Sequence, residues 1–181
     1  MKILAVQSRM GIGDTVIFLP FIKALSKKFN SPISILVKEN SKANQYLHQT
    51  KYIDKILTLE RDNKTNNRHG GFFGIFKLAN DLKKYKFDKI FIFNSSLRFN
   101  LVAKISGIPQ IYQYPLFAKN KQHIIEAPKK FLKKNLDLDV NEDPEVQIDS
   151  NLISNAAQKF QIDKNTTNIL LGIGGSGPTK R

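Results

Sequence analysis

The residues best suited to chemistry lie in the loop that follows the first apolar run of the chain. After Ile-Leu-Ala-Val at 3–6, this loop contains Gly11, Gly13 and Asp14. The two glycines allow a tight turn and a close approach of the backbone to a ligand, and a carboxylate at the entry to a helix can take the proton of a hydroxyl group. Asp14 could equally be only the N-cap of that helix, accepting its first backbone N–H groups. The loop sequence alone leaves both roles open.

The same loop is a poor match to the common phosphate-binding motifs. Its Gly-x-Gly is followed by Asp-Thr-Val, without the third glycine of a dinucleotide fingerprint, and the chain contains no Gly-Lys-Ser or Gly-Lys-Thr of a Walker loop. A carboxylate at this position would also repel a phosphate. The loop is therefore predicted to deprotonate a hydroxyl group rather than to hold a phosphate.

A second glycine-rich loop follows the last apolar run, at 168–172. Its candidate ligand-binding residues are Gly174, Gly175, Ser176, Gly177, Thr179 and Lys180. Backbone N–H groups, hydroxyl groups and a lysine that converge in this way can bind an anion. A flexible tail rich in glycine and serine is the alternative interpretation.

Short apolar runs alternate with longer amphipathic stretches throughout the chain. The predicted strands are residues 2–7, 32–37, 55–59, 89–94, 110–113 and 168–172. The predicted helices are residues 15–29, 42–48, 72–85, 96–106, 121–135 and 151–160. This alternation predicts an α/β fold, with a doubly wound parallel sheet and helices on both faces. Ligands of such a sheet bind beyond the carboxyl ends of its strands, where the Asp14 loop is expected.

Composition excludes several classes of protein. The chain has no cysteine and three histidines, which excludes a disulfide scaffold, a thiolate zinc site and a cysteine nucleophile, and no metal site is expected. No apolar run approaches the roughly 20 residues that span a bilayer, so a cytoplasmic protein is expected. The 29 basic and 15 acidic residues give a formal charge of +14, which suggests a polyanionic partner. Because most of the basic residues are lysine, and Asn and Ile are also abundant, AT-rich codon usage is an alternative source of this charge.

Several of these features together resemble the ADP-heptose:lipopolysaccharide heptosyltransferases of glycosyltransferase family 9. They are the loop 11–14 after an N-terminal strand, Pro20 six residues beyond Asp14, and the loop 174–181, with segments 87–88, 94–96 and 106–108 fitting the middle region. The resemblance extends over essentially the whole chain. It implies the Rossmann-like N-terminal half of a GT-B fold, in which two such domains face a cleft.

The resemblance also implies a division of the chain. Residues 1–165 would form the Rossmann-like domain that binds the sugar acceptor. Residues 166–181 would form the first strand and the glycine-rich loop of a donor-binding domain, the rest of which the sequence lacks. We therefore expect a truncated form, with little activity and little affinity for a nucleotide sugar on its own.

Individual residues take roles from the same resemblance. Asp14 would be the catalytic base of an inverting, metal-independent transfer of a heptose-type sugar, which uses no cofactor. The implied acceptor-binding residues are Gly11, Gly13, Arg61, Lys64, Arg68, Asn94, Ser95, Ser96 and Arg98, and the implied donor-binding residues are the six of the terminal loop. A solvated loop is the alternative for residues 61–68, and capping of the next helix is the alternative for Ser95 and Ser96. His123 is expected at the surface.

The implied partners are a nucleotide sugar of the ADP-heptose type and a glycolipid or lipopolysaccharide-core acceptor. Phe72, Phe73 and Phe76, followed by the lysine-rich stretch 83–86, would suit peripheral contact with the cytoplasmic face of the inner membrane. Packing of these phenylalanines against the sheet is the alternative. No nucleic-acid partner is expected, because no reading helix or stacking motif is recognisable; a non-catalytic basic binding module remains the alternative to an enzyme. The acidic stretch 137–149 is interpreted as a linker.

Overall fold

Five parallel strands form a sheet in the order β3-β2-β1-β4-β5 in the computed structural model, which describes residues 1–8, 11–61, 67–116, 123–163 and 165–169. The strands are β1 (Ile3–Val6), β2 (Ile33–Lys38), β3 (Ile53–Leu59), β4 (Lys89–Ile92) and β5 (Gln110–Gln113). The helices are α1 (Ile12–Phe29), α2 (Ala43–Tyr46), α3 (Phe73–Lys83), α4 (Leu97–Ile105), α5 (Glu126–Leu136) and α6 (Ser150–Lys159). The predicted doubly wound parallel sheet is confirmed.

Several predicted elements have different ends in the structure; the helix predicted at 121–135, for example, begins at Glu126. Helix α1 begins at Ile12, three residues before the predicted start, because Gly11 rather than Asp14 stands at its N-cap. The strand predicted at 168–172 is not formed at Asn168 or Ile169, and its other residues lie outside the described part of the chain.

The sheet is covered on both faces, which explains its continuous apolar strands. Alternate residues of β1 enter different cores: Ile3 and Ala5 pack with α1 and α5, whereas Leu4 and Val6 pack with α3 and α4. All four are buried. Successive side chains of a strand point to opposite faces of the sheet. Because both faces are covered by helices, all four residues of β1 must be apolar.

The acidic stretch after α5 packs against the domain up to Gln147. Val140 is buried in the core on the α1 side, Lys23 forms an ion pair with Glu145 at 3.0 Å, and the hydroxyl of Tyr52 donates a hydrogen bond to the Glu145 carbonyl at 3.2 Å. The interpretation of this stretch as a linker is therefore wrong for residues up to Gln147.

The chain divides into two compact units, Met1–Gln147 and Ile148–Arg181. The sheet belongs to the first unit. In the second unit, Asp149 caps α6 by accepting the Asn151 N–H at 2.7 Å, and α6 has no buried residue. None of the helices formed by the described residues combines the length and the apolar character needed to cross a membrane.

Candidate active site

The strand order reverses between β1 and β4, which places a crevice at the carboxyl ends of these two strands. The loop after β1 leads to α1 on one face of the sheet, and the loop after β4 leads to α4 on the other face. Val6 pairs with Ile92 in the β1–β4 register, so Ser8 and Asn94 leave the sheet side by side. Their side chains are joined by a hydrogen bond of 2.6 Å from Asn94 Nδ2 to Ser8 Oγ. Such a reversal is the usual ligand position of an open parallel sheet.

Asp14 lies at this crevice, in the first turn of α1, where it is half-buried. The N-cap of the helix is Gly11, with φ 108° and ψ 158°, a backbone conformation that is essentially restricted to glycine. The interpretation of Asp14 as the N-cap is therefore wrong. Its Oδ2 atom lies 3.7 Å from the position that a Cβ on Gly11 would take. The carboxylate therefore lies beside Gly11, at the N-terminal end of α1.

The neighbours of Asp14 fix the backbone around it. Thr15 is buried, and its Oγ1 donates a hydrogen bond of 3.1 Å to the Gly11 carbonyl. Gln7, at the end of β1, donates from Nε2 to the Asp14 carbonyl at 3.5 Å. These contacts hold the carboxylate on a rigid helix start, which is the placement that proton transfer to a positioned base requires.

Asn94 connects the ends of neighbouring strands. Besides donating to Ser8, it accepts the Ser96 N–H on Oδ1 at 2.6 Å. Gln113, at the end of β5, donates from Nε2 to the carbonyls of Asn94 at 3.0 Å and Ser96 at 2.9 Å. Sequence reasoning missed Gln113, although a polar residue that ends a buried strand was a signal for it. These contacts join the loops at the crevice through Asn94 and Gln113, and binding of an acceptor by Asn94 remains a prediction.

Ser96 is the N-cap of α4, because its Oγ accepts the Arg98 N–H at 3.3 Å. The capping alternative is therefore confirmed for Ser96. Ser95 precedes it and is half-buried. A capping hydroxyl can still accept or donate a second hydrogen bond, so binding of an acceptor by Ser95 and Ser96 remains a prediction.

Two of the predicted acceptor-binding arginines hold the loop that precedes α3. Arg68 forms an ion pair with Asp81, its Nη2 lying 2.8 Å from Oδ2. The guanidinium of Arg98 donates to the Gly71 carbonyl at 2.7 Å and also to the His69 carbonyl. Both side chains therefore connect the loop to helices on the α3–α4 side of the sheet.

His69 is a residue of this loop that the sequence analysis did not single out. It is buried, and its Nδ1 accepts the backbone N–H of Glu60 at 3.1 Å. A ring nitrogen that accepts from a backbone N–H carries no hydrogen, so Nε2 is the donor of the neutral ring. This nitrogen lies 3.1 Å from Asp81 Oδ2 and donates to it. The pair fixes the end of the polar loop to α3; a histidine beside two glycines was the available signal.

The hydrogen bonds to Asp81 predict a dependence of stability on pH. Burial raises the pKa of Asp81, but the hydrogen bonds from His69 and Arg68 lower it by more, so this pKa lies below its ordinary value of 3.8. A depressed pKa contributes stability that is present above pH 3.8 and is lost as the pH falls through the folded pKa. We expect Asp81→Asn to lower the free energy of unfolding at pH 7 by about 1–3 kcal/mol, with the difference from wild type shrinking below pH 3.8.

Urea unfolding at several pH values measures this effect. The matched control is Asp139→Asn, which removes an exposed carboxylate that pairs with Lys133 at 2.7 Å. We expect it to cost less than about 1 kcal/mol at any pH. A destabilisation by Asp81→Asn that is unchanged in acid would contradict the role of its charge.

The remaining predicted residues are placed as follows. Arg61 lies two residues beyond the end of β3, and its backbone N–H donates to the Leu59 carbonyl at 3.0 Å. His123 is exposed, as expected. Lys64 and all six predicted donor-binding residues, 174–177, 179 and 180, lie outside the described residues. Within the described ranges, no group of three or more His, Asp or Glu side chains is arranged to hold a metal ion.

Solved structures that share this fold include glycosyltransferases. A glycosyl transferase family 9 protein from Veillonella parvula DSM 2008 is 18% identical, with a TM-score of 0.74 over 99% of this chain and 56% of its own. The E. coli ADP-heptose lps heptosyltransferase II is 15% identical, with a TM-score of 0.58 over 91% of this chain and 52% of its own. The E. coli heptosyltransferase WaaC, solved with ADP-2-deoxy-2-fluoro heptose, is 13% identical, with a TM-score of 0.52 over 81% of this chain and 51% of its own.

No protein-family model matches the sequence, and no curated protein matches it. At identities of 18% and below, the likeness to the solved structures establishes a shared fold. The chain spans about half the length of each of these structures. The expectation that the fold resembles that of glycosyltransferase family 9 is confirmed.

Proposed function

We propose that this chain forms the acceptor-binding part of a glycosyltransferase, which transfers a heptose-type sugar from a nucleotide sugar to a lipopolysaccharide core or a related glycolipid. The observation that carries the proposal is the position of Asp14. Its half-buried carboxylate stands at the strand-order reversal, on a helix start whose N-cap is Gly11. The shared fold of heptosyltransferases, one of them solved with an ADP-heptose analogue, supports the choice of donor.

The proposed reaction is a single displacement. An Asp14 carboxylate oxygen takes the proton of the acceptor hydroxyl while that oxygen attacks the anomeric carbon of the donor sugar. The bond from this carbon to the diphosphate oxygen breaks, the diphosphate leaves with the electron pair, and the configuration at the carbon inverts. Positioned basic side chains and helix N-termini can stabilise the leaving charge. We assign this task to the terminal loop, with Thr179 and Lys180 as the phosphate contacts.

The acceptor side of the proposal combines direct contacts with positioning contacts. Arg61, Lys64, Ser95 and Ser96 are the proposed contacts to an acidic, phosphorylated acceptor. Because Arg68 and Arg98 already hold the loop before α3, we assign them to shaping the acceptor surface.

A transfer assay tests the proposal. Protein expressed from its intact gene is incubated with radiolabelled ADP-heptose and lipopolysaccharide that has a truncated core, and label in the glycolipid is counted. We expect transfer that depends on both substrates, and a product whose anomeric configuration, read by NMR, is opposite to that of the donor. Binding of a random oligonucleotide below micromolar concentration, without any transfer, would favour a basic binding module instead.

A second measurement tests which of the two substrates this chain binds. If residues 1–181 supply the acceptor side and, of the donor side, only the terminal loop, calorimetry should detect binding of the truncated lipopolysaccharide core and no micromolar binding of ADP-heptose. Micromolar affinity of this chain for ADP-heptose would contradict that division.

A further inference from the structure

Three phenylalanines stand exposed at the start of α3. Phe72, Phe73 and Phe76 have 69%, 77% and 48% of their surface accessible. The ring of Phe72 contacts those of Phe73 and Phe76 edge to face, with centroids 6.0 Å and 5.7 Å apart. Single exposed apolar residues are common, whereas contiguous exposed apolar patches mark interaction surfaces. We call these residues the aromatic cluster.

The rest of α3 prevents the aromatic cluster from turning inward. The opposite face of the helix is buried in the core through Ile75, Leu78, Ala79 and Leu82. The alternative, that the three phenylalanines pack against the sheet, is therefore wrong. Because the inward face is already filled, the outward position of the rings is a fixed property of the fold.

The neighbouring helix continues the apolar surface. On α4, Leu97, Leu101 and Ile105 are exposed at intervals of four residues, which places them on one side of the helix. The starts of α3 and α4 are tied together by the hydrogen bond from Arg98 to the Gly71 carbonyl. Adjacent outward sides of two packed helices thus both carry large apolar side chains.

The outward side of α3 is also positively charged. Lys77, Lys83 and Lys84 are exposed, as the three phenylalanines are. The only acidic residue of α3 is Asp81, which is bonded to His69, Arg68 and Lys84. The surface therefore combines an aromatic end with a row of lysines whose charge is largely uncompensated on this helix.

We propose that this α3–α4 surface docks on the headgroups of an anionic lipid bilayer. Protruding aromatic rings can enter the boundary between headgroups and acyl chains, while lysines contact lipid phosphates. A second copy of the chain would suit this surface less well, because a two-fold interface would bring its lysine rows together. The proposal does not rest on the transfer reaction, since vesicle binding is measured without donor or acceptor.

Vesicle flotation with the full chain tests the proposal. We expect binding to phosphatidylcholine vesicles only when they contain phosphatidylglycerol, and weaker binding as salt is added. Phe73→Ser should lower the partition coefficient by about ten-fold, because one large apolar side chain no longer enters the boundary between headgroups and acyl chains. Phe160→Ser removes a phenylalanine of the second unit that is 68% exposed and does not belong to the aromatic cluster, and it should leave binding unchanged.

A paired set of lysine variants separates local charge from net charge. Lys77→Gln with Lys83→Gln removes two charges from the surface, and should weaken binding roughly 25-fold, at about five-fold per lysine. Lys130→Gln with Lys134→Gln removes the same charge from exposed positions on α5, which packs on the opposite face of the sheet. This control should change binding less than about three-fold, because its distance exceeds the screening length.

Three results would overturn the proposal. Equal losses in both lysine pairs would show that net charge alone drives binding. Equal losses of vesicle binding for Phe73→Ser and Phe160→Ser would show that the aromatic cluster does not contact the bilayer. Unchanged vesicle binding by Phe73→Ser, with loss of self-association in sedimentation velocity, would make the surface an interface between two copies. Circular dichroism confirms that each variant is folded.

Discussion

Replacement of Asp14 by asparagine is expected to lower the rate of sugar transfer by about 10²–10⁴-fold, because the amide cannot accept the proton of the attacking hydroxyl. The folded structure should be little affected, since the N-cap position of α1 belongs to Gly11 and not to Asp14. Initial rates with radiolabelled ADP-heptose, measured on protein from the intact gene, give kcat and KM. The loss should fall on kcat, and affinity for the donor should be retained.

Glu126→Gln is the matched control for this prediction. It also removes one carboxylate from the first turn of a helix, α5. The cost to stability should be below about 1 kcal/mol in both variants, as expected for a charge at a helix N-terminus. Transfer by the Glu126 variant should equal that of the wild type. If Asp14→Asn retained near-normal turnover, the assignment of the base would be wrong, even if transfer itself were established.

Replacement of Gly74 by alanine is expected to lower the free energy of unfolding by about 3 kcal/mol or more, a value at the top of the range for overpacking. A Cβ on Gly74 would lie under 3.0 Å from the carbonyl carbon and oxygen of His69, and 2.9 Å from Arg98 Nη2. The backbone cannot easily move away. His69 is held by hydrogen bonds to Glu60 and Asp81, and its carbonyl accepts from Arg98.

Gly13→Ala is the matched control, because Gly13 and Gly74 are each the second residue of a helix. A Cβ on Gly13 meets nothing within 4 Å. Alanine there should therefore raise stability by roughly 0.5–1 kcal/mol, since it restricts the unfolded chain and favours the helix. Urea unfolding of both variants measures the difference between their free energies of unfolding. Equal effects of the two substitutions would contradict the close packing of α3 against the His69 loop.

The sheet could be predicted because its strands carry a strong local signal. A parallel strand that is covered on both faces is a continuous apolar run, and Ile3–Val6 and Lys89–Ile92 lie within the ranges predicted for them. The ends of the helices were less predictable. At α1 the sequence offered Asp14 as a favourable N-cap, but Gly11 can adopt a backbone conformation closed to other residues, so the helix begins earlier.

Only those parts of the candidate site that depend on neighbouring residues in the sequence could be predicted. The position of Asp14 at the carboxyl edge of β1 follows from the order of a strand, a glycine loop and a helix. The contacts of Arg68 and Arg98 could not be predicted from that order. Arg68 meets Asp81 thirteen residues away, and Arg98 meets the Gly71 carbonyl across 27 residues, so each pairing depends on how a loop returns to a helix.

The amino-acid sequence by itself determined the α/β class, the order of its elements and the loop that carries Asp14. These depend on burial periodicity and on the conformations open to glycine, which act over a few residues. Only the tertiary structure decided that His69 bonds to Asp81, that Gln113 joins the loops, and that the aromatic cluster faces outward. The physical reason is that a polar or apolar side chain takes its role from the surfaces that folding brings next to it, and sequence spacing does not reveal these.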